Sequence, residues 1–278
     1  MAFMTRRSFF SATAAGAVAF ANPPQWKGRL KQAATRGCFG KGKGLEQICK
    51  EASSLGLKGI DLVGPADWPV LKKYGLVPTM APGGSSIRDG INRTENHTVI
   101  EARCREAIDQ AAAGAAPNVI LLSGERKGLS DEQGIENSVA FLNKVKRQAE
   151  DKGVTLCLEL LNSKVNHPDY QCDRTWWGVE VSKRVDSPRV KLLYDIYHMQ
   201  VMEGDIIATI RKNFQWIGHF HTAGVPGRHE IDETQELNYR PIAQAIVDLG
   251  FTGYFAHEYS PLKDPVASLE QAIRTCDV

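Results

Sequence analysis

The sequence predicts a single (β/α)₈ barrel, the TIM-barrel architecture, over residues 22–278. Short apolar runs alternate with longer amphipathic segments eight times, and four of the later runs each end in an acidic residue or a histidine. A glycine-rich stretch at 40–44 follows the first run, but it matches neither the dinucleotide-binding pattern nor the P-loop. A doubly wound open sheet, which usually carries such a turn after its first strand, is therefore disfavoured.

The first half of the chain supplies four strands and three helices. A strand is assigned to each short run of bulky or β-branched apolar residues, and a helix to each segment with apolar residues at helical spacing. The predicted strands are 33–39, 59–63, 76–80 and 118–122. The predicted helices are 45–55, 98–113 and 130–152, and a Gly/Ser-rich loop covers 82–89.

The second half repeats the pattern with stronger signals. Its four apolar runs predict strands at 154–159, 190–195, 216–221 and 254–258. Helices are expected at 174–185, 205–212, 239–249 and 265–275. These units complete the eight that a closed parallel barrel requires, and no linker or low-complexity tract indicates a second domain.

The first 21 residues have the pattern of a twin-arginine signal peptide. Arg6 and Arg7 precede an Ala-rich apolar stretch that ends in a small-x-small cleavage site at 19–21. The apolar stretch is too short to cross a bilayer comfortably. We therefore expect a periplasmic or otherwise exported protein with no stable membrane span after cleavage. An amphipathic N-terminal helix and an uncleaved anchor are the alternatives.

Charge and cysteine content exclude some functional classes. Without the leader, which holds two arginines and no acid, 32 basic residues face 32 acidic ones. This balance gives no electrostatic reason to expect nucleic acid or an anionic membrane surface as a partner. The six cysteines are scattered without a C-x-x-C pair, so a zinc ribbon or a thioredoxin-like site has no support. A small-molecule substrate is the partner that remains.

Four strand-end residues carry the predicted chemistry. Glu159, Asp195, His221 and Glu258 end successive runs, 36, 26 and 37 residues apart, which is about one strand–helix unit each. The C-terminal ends of barrel strands meet on one face, where active sites lie. Three carboxylates and one imidazole form a hard O/N set that suits Mn²⁺ or Mg²⁺. A helix cap or a salt bridge is the alternative for each residue taken singly.

The two glutamates suggest an acid/base pair. A metal ion that holds adjacent carbonyl and hydroxyl oxygens acidifies the neighbouring C–H bond. One glutamate could then remove the proton, and the other could return a proton to the adjacent carbon, an isomerisation, or to the opposite face, an epimerisation. Both routes pass through a cis-enediolate, whose charge nearby donors stabilise.

Two further residues are candidates for contact with the substrate. His198 follows Asp195 by three residues and can reach the same rim, and Arg228 lies on the loop after His221. Arginine suits bidentate contact with a substrate oxygen or carboxylate. A core histidine and a solvated loop arginine are the alternatives.

Weaker candidates are assigned structural roles or left open. Trp176 and Trp177 could stack on a sugar, but packing on the barrel exterior is favoured, and Trp68 near the mouth stays open. His167, on the loop after Glu159, could line the pocket, but an exposed loop residue is slightly favoured. Cys157 lies two residues before Glu159, so it points into the barrel as core.

These segments resemble a known group of enzymes. The stretches Leu158–Ser163, Tyr194–Asp205, Gly218–Glu230 and His257–Pro261 (LELLNS, YDIYHMQVMEGD, GHFHTAGVPGRHE and HEYSP) resemble hydroxypyruvate isomerases of the xylose isomerase-like barrel superfamily. The resemblance is strongest between residues 150 and 265. It implies a divalent metal held by the four strand-end residues, with the two glutamates as acid and base and with His198 and Arg228 on the substrate side. Homo-oligomers are frequent in similar barrels.

One departure from the resemblance keeps the substrate open. Hydroxypyruvate isomerases commonly carry Gln where this chain has His221, whereas the related ketose 3-epimerases carry His. The sequence therefore predicts an isomerase of a small hydroxy-ketone or sugar, with a ketose 3-epimerase or a metal-dependent lyase or deglycosidase as alternatives.

The sequence disfavours two further classes of function. A phosphodiesterase or abasic-site endonuclease would need more rim histidines and a basic groove than this chain offers. A non-catalytic sugar-binding barrel would have no use for a paired acid and base.

Overall fold

Eight parallel strands close into a barrel in the computed structural model, which describes residues 25–278. Each strand pairs with the next one along the chain, and the last pairs with the first. The strands are β1 (Lys31–Thr35), β2 (Gly59–Asp61), β3 (Val77–Pro82), β4 (Asn118–Leu121), β5 (Thr155–Glu159), β6 (Val190–Asp195), β7 (Ile217–Thr222) and β8 (Tyr254–His257). The predicted (β/α)₈ barrel is confirmed. The signal peptide predicted for residues 1–21 lies outside the described residues and stays a prediction.

Helices follow the strands and form the outer layer. They are α1 (Leu45–Ser54), α2 (Trp68–Lys73), α3 (His97–Gly114), α4 (Asp131–Lys152), α5 (Thr175–Val185), α6 (Ile196–Met202), α7 (Ile206–Asn213), α8 (Tyr239–Asp248) and α9 (Pro265–Cys276). Because helices cover the outside of the barrel and side chains fill its inside, the strands are buried on both faces and read as continuous apolar runs.

The largest differences from the sequence prediction lie at three elements. The first strand ends at Thr35, and Arg36–Phe39 forms a 3₁₀ turn in which the Gly40 amide bonds the Gly37 carbonyl. Helices α2 and α6 were not predicted. They have six and seven residues, so neither is long enough to display a helical period.

Apolar side chains fill the barrel interior as well as the layer beneath the helices. Met80, Cys157 and Leu193 form the buried interior cluster, with Leu62 and Ile120 against it. Cys157 is fully buried there, which confirms its predicted place in the core. The interior is therefore packed, and the open end of the barrel is left for the site.

Cysteines and long helices give two further observations. Each of the six cysteines is a free, buried thiol. Across residues 25–278, no helix combines the length and the apolar character that crossing a membrane requires.

Candidate active site

Four side chains from neighbouring strands converge at the C-terminal end of the barrel. Glu159 ends β5, Asp195 ends β6, His221 lies in β7 beside Asp195, and Glu258 follows β8 directly. Each offers one ligand atom, and these atoms all lie within 4.8 Å of one another. The strand order places the two glutamates at the two flanks of the cluster, with Asp195 and His221 between them.

His221 is the centre of this cluster. Its Nδ1 atom lies 2.7 Å from Glu258 Oε2, 3.4 Å from Glu159 Oε1 and 3.9 Å from Asp195 Oδ2. Nδ1 is buried and, within the described part of the chain, has no hydrogen-bond partner of acceptable geometry. One nitrogen and three carboxylate oxygens thus face a common point.

The donor set fits a divalent metal ion. An orphaned nitrogen aimed at three carboxylates is costly unless a cation or a proton satisfies it. Hard oxygen ligands with a single imidazole suit Mn²⁺ or Mg²⁺, and they are also compatible with other divalent ions. The four residues predicted as ligands are therefore placed where they could hold such an ion together.

Proton affinities differ across the cluster. Burial raises the pKa of Glu159 to about 7. Burial also opposes ionisation of Glu258, but the positive charges of His221 and Arg228 outweigh it and lower the pKa of that carboxyl. Burial disfavours charged His221, yet the surrounding carboxylates raise its pKa well above the ordinary value. The cluster therefore attracts positive charge, as a proton or as a cation.

Arg228 lies across the open side of the cluster. Its Nη2 atom donates to Asp195 Oδ2 at 2.8 Å and to Glu258 Oε2 at 2.6 Å, and its guanidinium lies over the Tyr197 ring, 5.0 Å from the centroid. The backbone of Arg228 has φ +60°, a left-handed conformation that residues other than glycine rarely adopt. The loop thus directs this arginine inward, so it is not a solvated loop residue.

His198 lies beside it, with a hydrogen-bond donor at each ring nitrogen. Its Nδ1 atom accepts from the Asn162 amide at 3.0 Å, and the Asn162 side-chain nitrogen lies 2.7 Å away. Nε2 lies 2.8 Å from Arg228 Nη1, which is also a donor, so donors face both ring nitrogens although a neutral imidazole accepts at only one of them. Burial lowers the pKa of His198 to about 3, so the ring is neutral at physiological pH.

The sequence analysis missed Asp61 as a site residue. Asp61 ends β2, is buried, and places Oδ2 2.8 Å from His221 Nε2 and 2.8 Å from His219 Nε2. The same strand-end rule that found the other four would have found it. The second run, however, was extended to Val63, which put Asp61 in mid-strand.

The structure also gives the positions of the weaker candidates. His167, expected to be exposed, is half-buried with its ring centroid 5.3 Å from that of His198, because the loop after β5 folds back over α6. Trp68 is buried and donates from Nε1 to the Val63 carbonyl at 2.9 Å, which makes it core. Trp177 is fully buried, whereas Trp176 is 53% exposed on α5.

A cleft beside the cluster could admit a small molecule. Its volume is about 340 Å³, and its lining includes Thr35, Arg36, Asp61, Arg228, Glu258 and Tyr259. This volume is in the range of small-molecule sites. The cleft therefore connects solvent with Arg228 and Glu258, which line it beside the cluster.

Comparison with known proteins agrees with this fold. The sequence profile described as "Xylose isomerase-like TIM barrel" matches residues 49–276. The chain belongs to this family. The resemblance to xylose isomerase-like barrels inferred from the sequence is thereby confirmed.

Two curated relatives are isomerases by name. A Xenopus laevis protein named "Putative hydroxypyruvate isomerase" is 29% identical over 180 residues, which are 62% of this chain and 66% of that protein. A 2-oxo-tetronate isomerase of Haemophilus influenzae is 30% identical over 241 residues, which are 79% of this chain and 89% of that protein. The chain thus spans slightly less than two thirds of the length of the Xenopus relative.

Two solved structures share the barrel. A family 2 AP endonuclease of Brucella melitensis superposes with a TM-score of 0.80 at 24% identity, covering 86% of this chain and 96% of that one. D-psicose 3-epimerase of Clostridium cellulolyticum superposes with a TM-score of 0.75 at 18% identity, covering 90% and 100%. At these identities the likeness shows the fold.

Proposed function

We propose that this protein is a divalent-metal-dependent isomerase of a small hydroxy-ketone or sugar. The observation that carries the proposal is the cluster of Glu159, Asp195, His221 and Glu258, in which two carboxylates suited to acid/base work flank two further ligands. The isomerase names of the curated relatives support it. Mn²⁺ and Mg²⁺ are the ions that this donor set favours.

The chain's own residues supply the proton transfers. When bound, the metal ion would hold adjacent substrate oxygens and acidify the C–H bond between the glutamates. One glutamate removes that proton and gives a cis-enediolate, and the other returns a proton to the adjacent carbon. Asp195 and His221 complete the ligand set.

His198 and Arg228 stabilise the charge that develops on the substrate oxygens. The guanidinium of Arg228 points toward the cluster, and Nε2 of neutral His198 lies 2.8 Å from its Nη1 atom. Such donors act strongly where water is excluded, and they need no reorganisation during the reaction. The two side chains therefore orient the substrate without taking part in proton transfer at carbon.

A ketose 3-epimerase is the second candidate. It uses the same pair of glutamates but returns the proton to the opposite face of the same carbon. His221 favours the epimerase, because the ketose 3-epimerases that the sequence resembles carry histidine at this position. The structural likeness to D-psicose 3-epimerase shows only the shared fold.

One experiment separates these reactions. The purified protein, loaded with Mn²⁺, is incubated in D₂O with ketoses, aldoses, hydroxypyruvate and other 2-oxo acids, and each mixture is followed by proton NMR. We expect deuterium next to a carbonyl in one substrate, with a new isomer formed and with both signals lost after chelation of the metal. An epimer in place of an aldose–ketose pair would establish the second candidate. Exchange followed by release of a leaving group would establish a lyase, and metal binding without exchange of any substrate would contradict the proposal.

Substitution of Arg228 tests its role on the substrate side. Arg228→Lys keeps the charge but cannot reach Asp195, Glu258 and His198 together. We expect turnover to fall by about two orders of magnitude, as for loss of one preorganised donor, with metal content unchanged. Arg147→Lys, at an 83% exposed side chain on α4, is the control and should match the wild type. Wild-type turnover in Arg228→Lys would show that the arginine has no part in the reaction.

A further inference from the structure

A second buried cluster lies directly behind the candidate metal site. Asp61 accepts a hydrogen bond from the Thr79 hydroxyl. It also accepts one from Nε2 of His219 and one from Nε2 of His221, each 2.8 Å long. Asp61, Thr79 and the two imidazoles are each at most 1% exposed. The imidazole of His221 therefore belongs to both clusters and connects them.

Hydrogen-bond partners fix the proton positions in this cluster. An ionised carboxylate can only accept, so Nε2 of both histidines must donate to Asp61. His219 agrees, because its Nδ1 atom faces the Asn118 side-chain nitrogen, a donor, at 3.5 Å. With a proton on Nε2, Nδ1 is the nitrogen of His221 that can give up its proton and offer a lone pair to a cation where Glu159, Asp195 and Glu258 meet.

Asp61, His219 and His221 also lie close enough together to be considered as a second metal site, but hydrogen bonds explain their geometry. The two imidazole nitrogens lie at hydrogen-bonding distance from one and the same oxygen, Asp61 Oδ2. Ligands on a tetrahedral ion with bonds of about 2.0–2.1 Å would lie roughly 3.3 Å apart. The remaining Asp61 oxygen is taken by Thr79. Hydrogen bonding therefore accounts for this cluster without an ion.

We infer that Asp61 is a positioning residue, which sets the tautomer and ring plane of His221 and so determines how tightly the four-residue cluster binds a divalent cation. Ligating histidines commonly donate their second ring N–H to a carboxylate, which orients the ring and raises its basicity. Thr79 and His219 hold the Asp61 carboxylate in turn. The inference rests on the metal dependence of the proposed function, and it adds a residue that lies outside the ligand set.

Metal affinity measured without substrate tests the inference. The full chain, its Asp61→Asn variant and its Ile108→Ala variant are each titrated with Mn²⁺ by calorimetry, and their thermal unfolding is recorded. The asparagine keeps the shape but replaces one acceptor oxygen with an NH₂ donor. We expect Asp61→Asn to bind Mn²⁺ about 10–100-fold more weakly, the usual cost of losing such a partner. Ile108 is buried on α3, away from the site, so Ile108→Ala should lower stability and leave the affinity unchanged.

A second variant keeps the test decisive if Asp61→Asn does not fold. Thr79→Val removes the hydroxyl that holds Asp61 and preserves the side-chain shape, so Mn²⁺ affinity should fall by roughly 3–10-fold, the contribution of an ordinary hydrogen bond. Affinities equal to the wild type in the folded variants would overturn the positioning role while the proposed function stands. A wild-type chain that binds neither Mn²⁺ nor Mg²⁺ would overturn both.

Discussion

Glu258→Gln and Glu159→Gln are each expected to reduce turnover by at least about 10³-fold, since a positioned acid or base contributes roughly 10²–10⁴ and each residue is also a candidate ligand. Glutamine keeps the size of the side chain but can neither take nor give the proton. Residual Mn²⁺ content, measured on the purified variants, separates loss of the ligand from loss of proton transfer. Glu233→Gln, at an exposed glutamate in the loop after β7, is the matched control and should behave as the wild type.

Solvent exchange assigns the two roles. A variant that lacks the group removing the substrate proton should show neither deuterium uptake nor product in D₂O. A variant that lacks the group returning the proton should still exchange the substrate proton while forming no product. If either variant retains metal and full turnover, its glutamate is not part of the acid/base pair, and the proposed mechanism is wrong at that residue.

The later strands were predictable because both of their faces are buried. Strands β5 to β8 coincide with the predicted runs to within one residue at either end. Burial on both faces leaves an uninterrupted apolar run that ends sharply at a polar residue. The short helices α2 and α6 lacked such a signal. In α6, five of seven residues are buried, so no polar face alternates with an apolar one.

The convergence of the candidate ligands was also predictable, whereas their supporting contacts were not. Parallel strands of a barrel bring their ends to one face, so residues a unit apart in sequence become neighbours in space. The inward direction of Arg228 depends on a loop backbone at φ +60°, and the hydrogen bond that His198 Nδ1 accepts comes from Asn162, 36 residues away. Contacts of this kind depend on loop paths, for which the sequence carries no period.

Positive charge explains why Arg228 and His221 take their places in the cluster. Three carboxylates within 4.8 Å of one imidazole nitrogen repel one another unless a positive group lies among them. Arg228 bonds Asp195 and Glu258 on the open side, and Asp61 orients His221 from behind. The ligand atoms are thus held in place from both sides before any cation binds, and this preorganisation favours selective binding.

Trp177→Ala is expected to lower the free energy of unfolding by about 3–5 kcal/mol, the range for truncating a buried aromatic side chain. Trp177 is fully buried on α5, a helix that packs against α4 and β6. Its indole nitrogen has no hydrogen-bond partner among the described residues, so its contribution comes from packing. For a chain of this size the unfolding midpoint should fall by roughly 10 °C.

The adjacent tryptophan provides a control that differs by one position. Trp176 is 53% exposed on the same helix, so Trp176→Ala should change the free energy of unfolding by less than about 0.5 kcal/mol. Thermal unfolding and substrate KM are measured for both variants. A raised KM in Trp176→Ala at unchanged stability would show that this residue contacts the substrate, contrary to its place on the outer layer. A small loss of stability in Trp177→Ala would mean that the helix layer around α5 collapses into the space left by the indole, because the cost of a cavity depends on how far its walls can close.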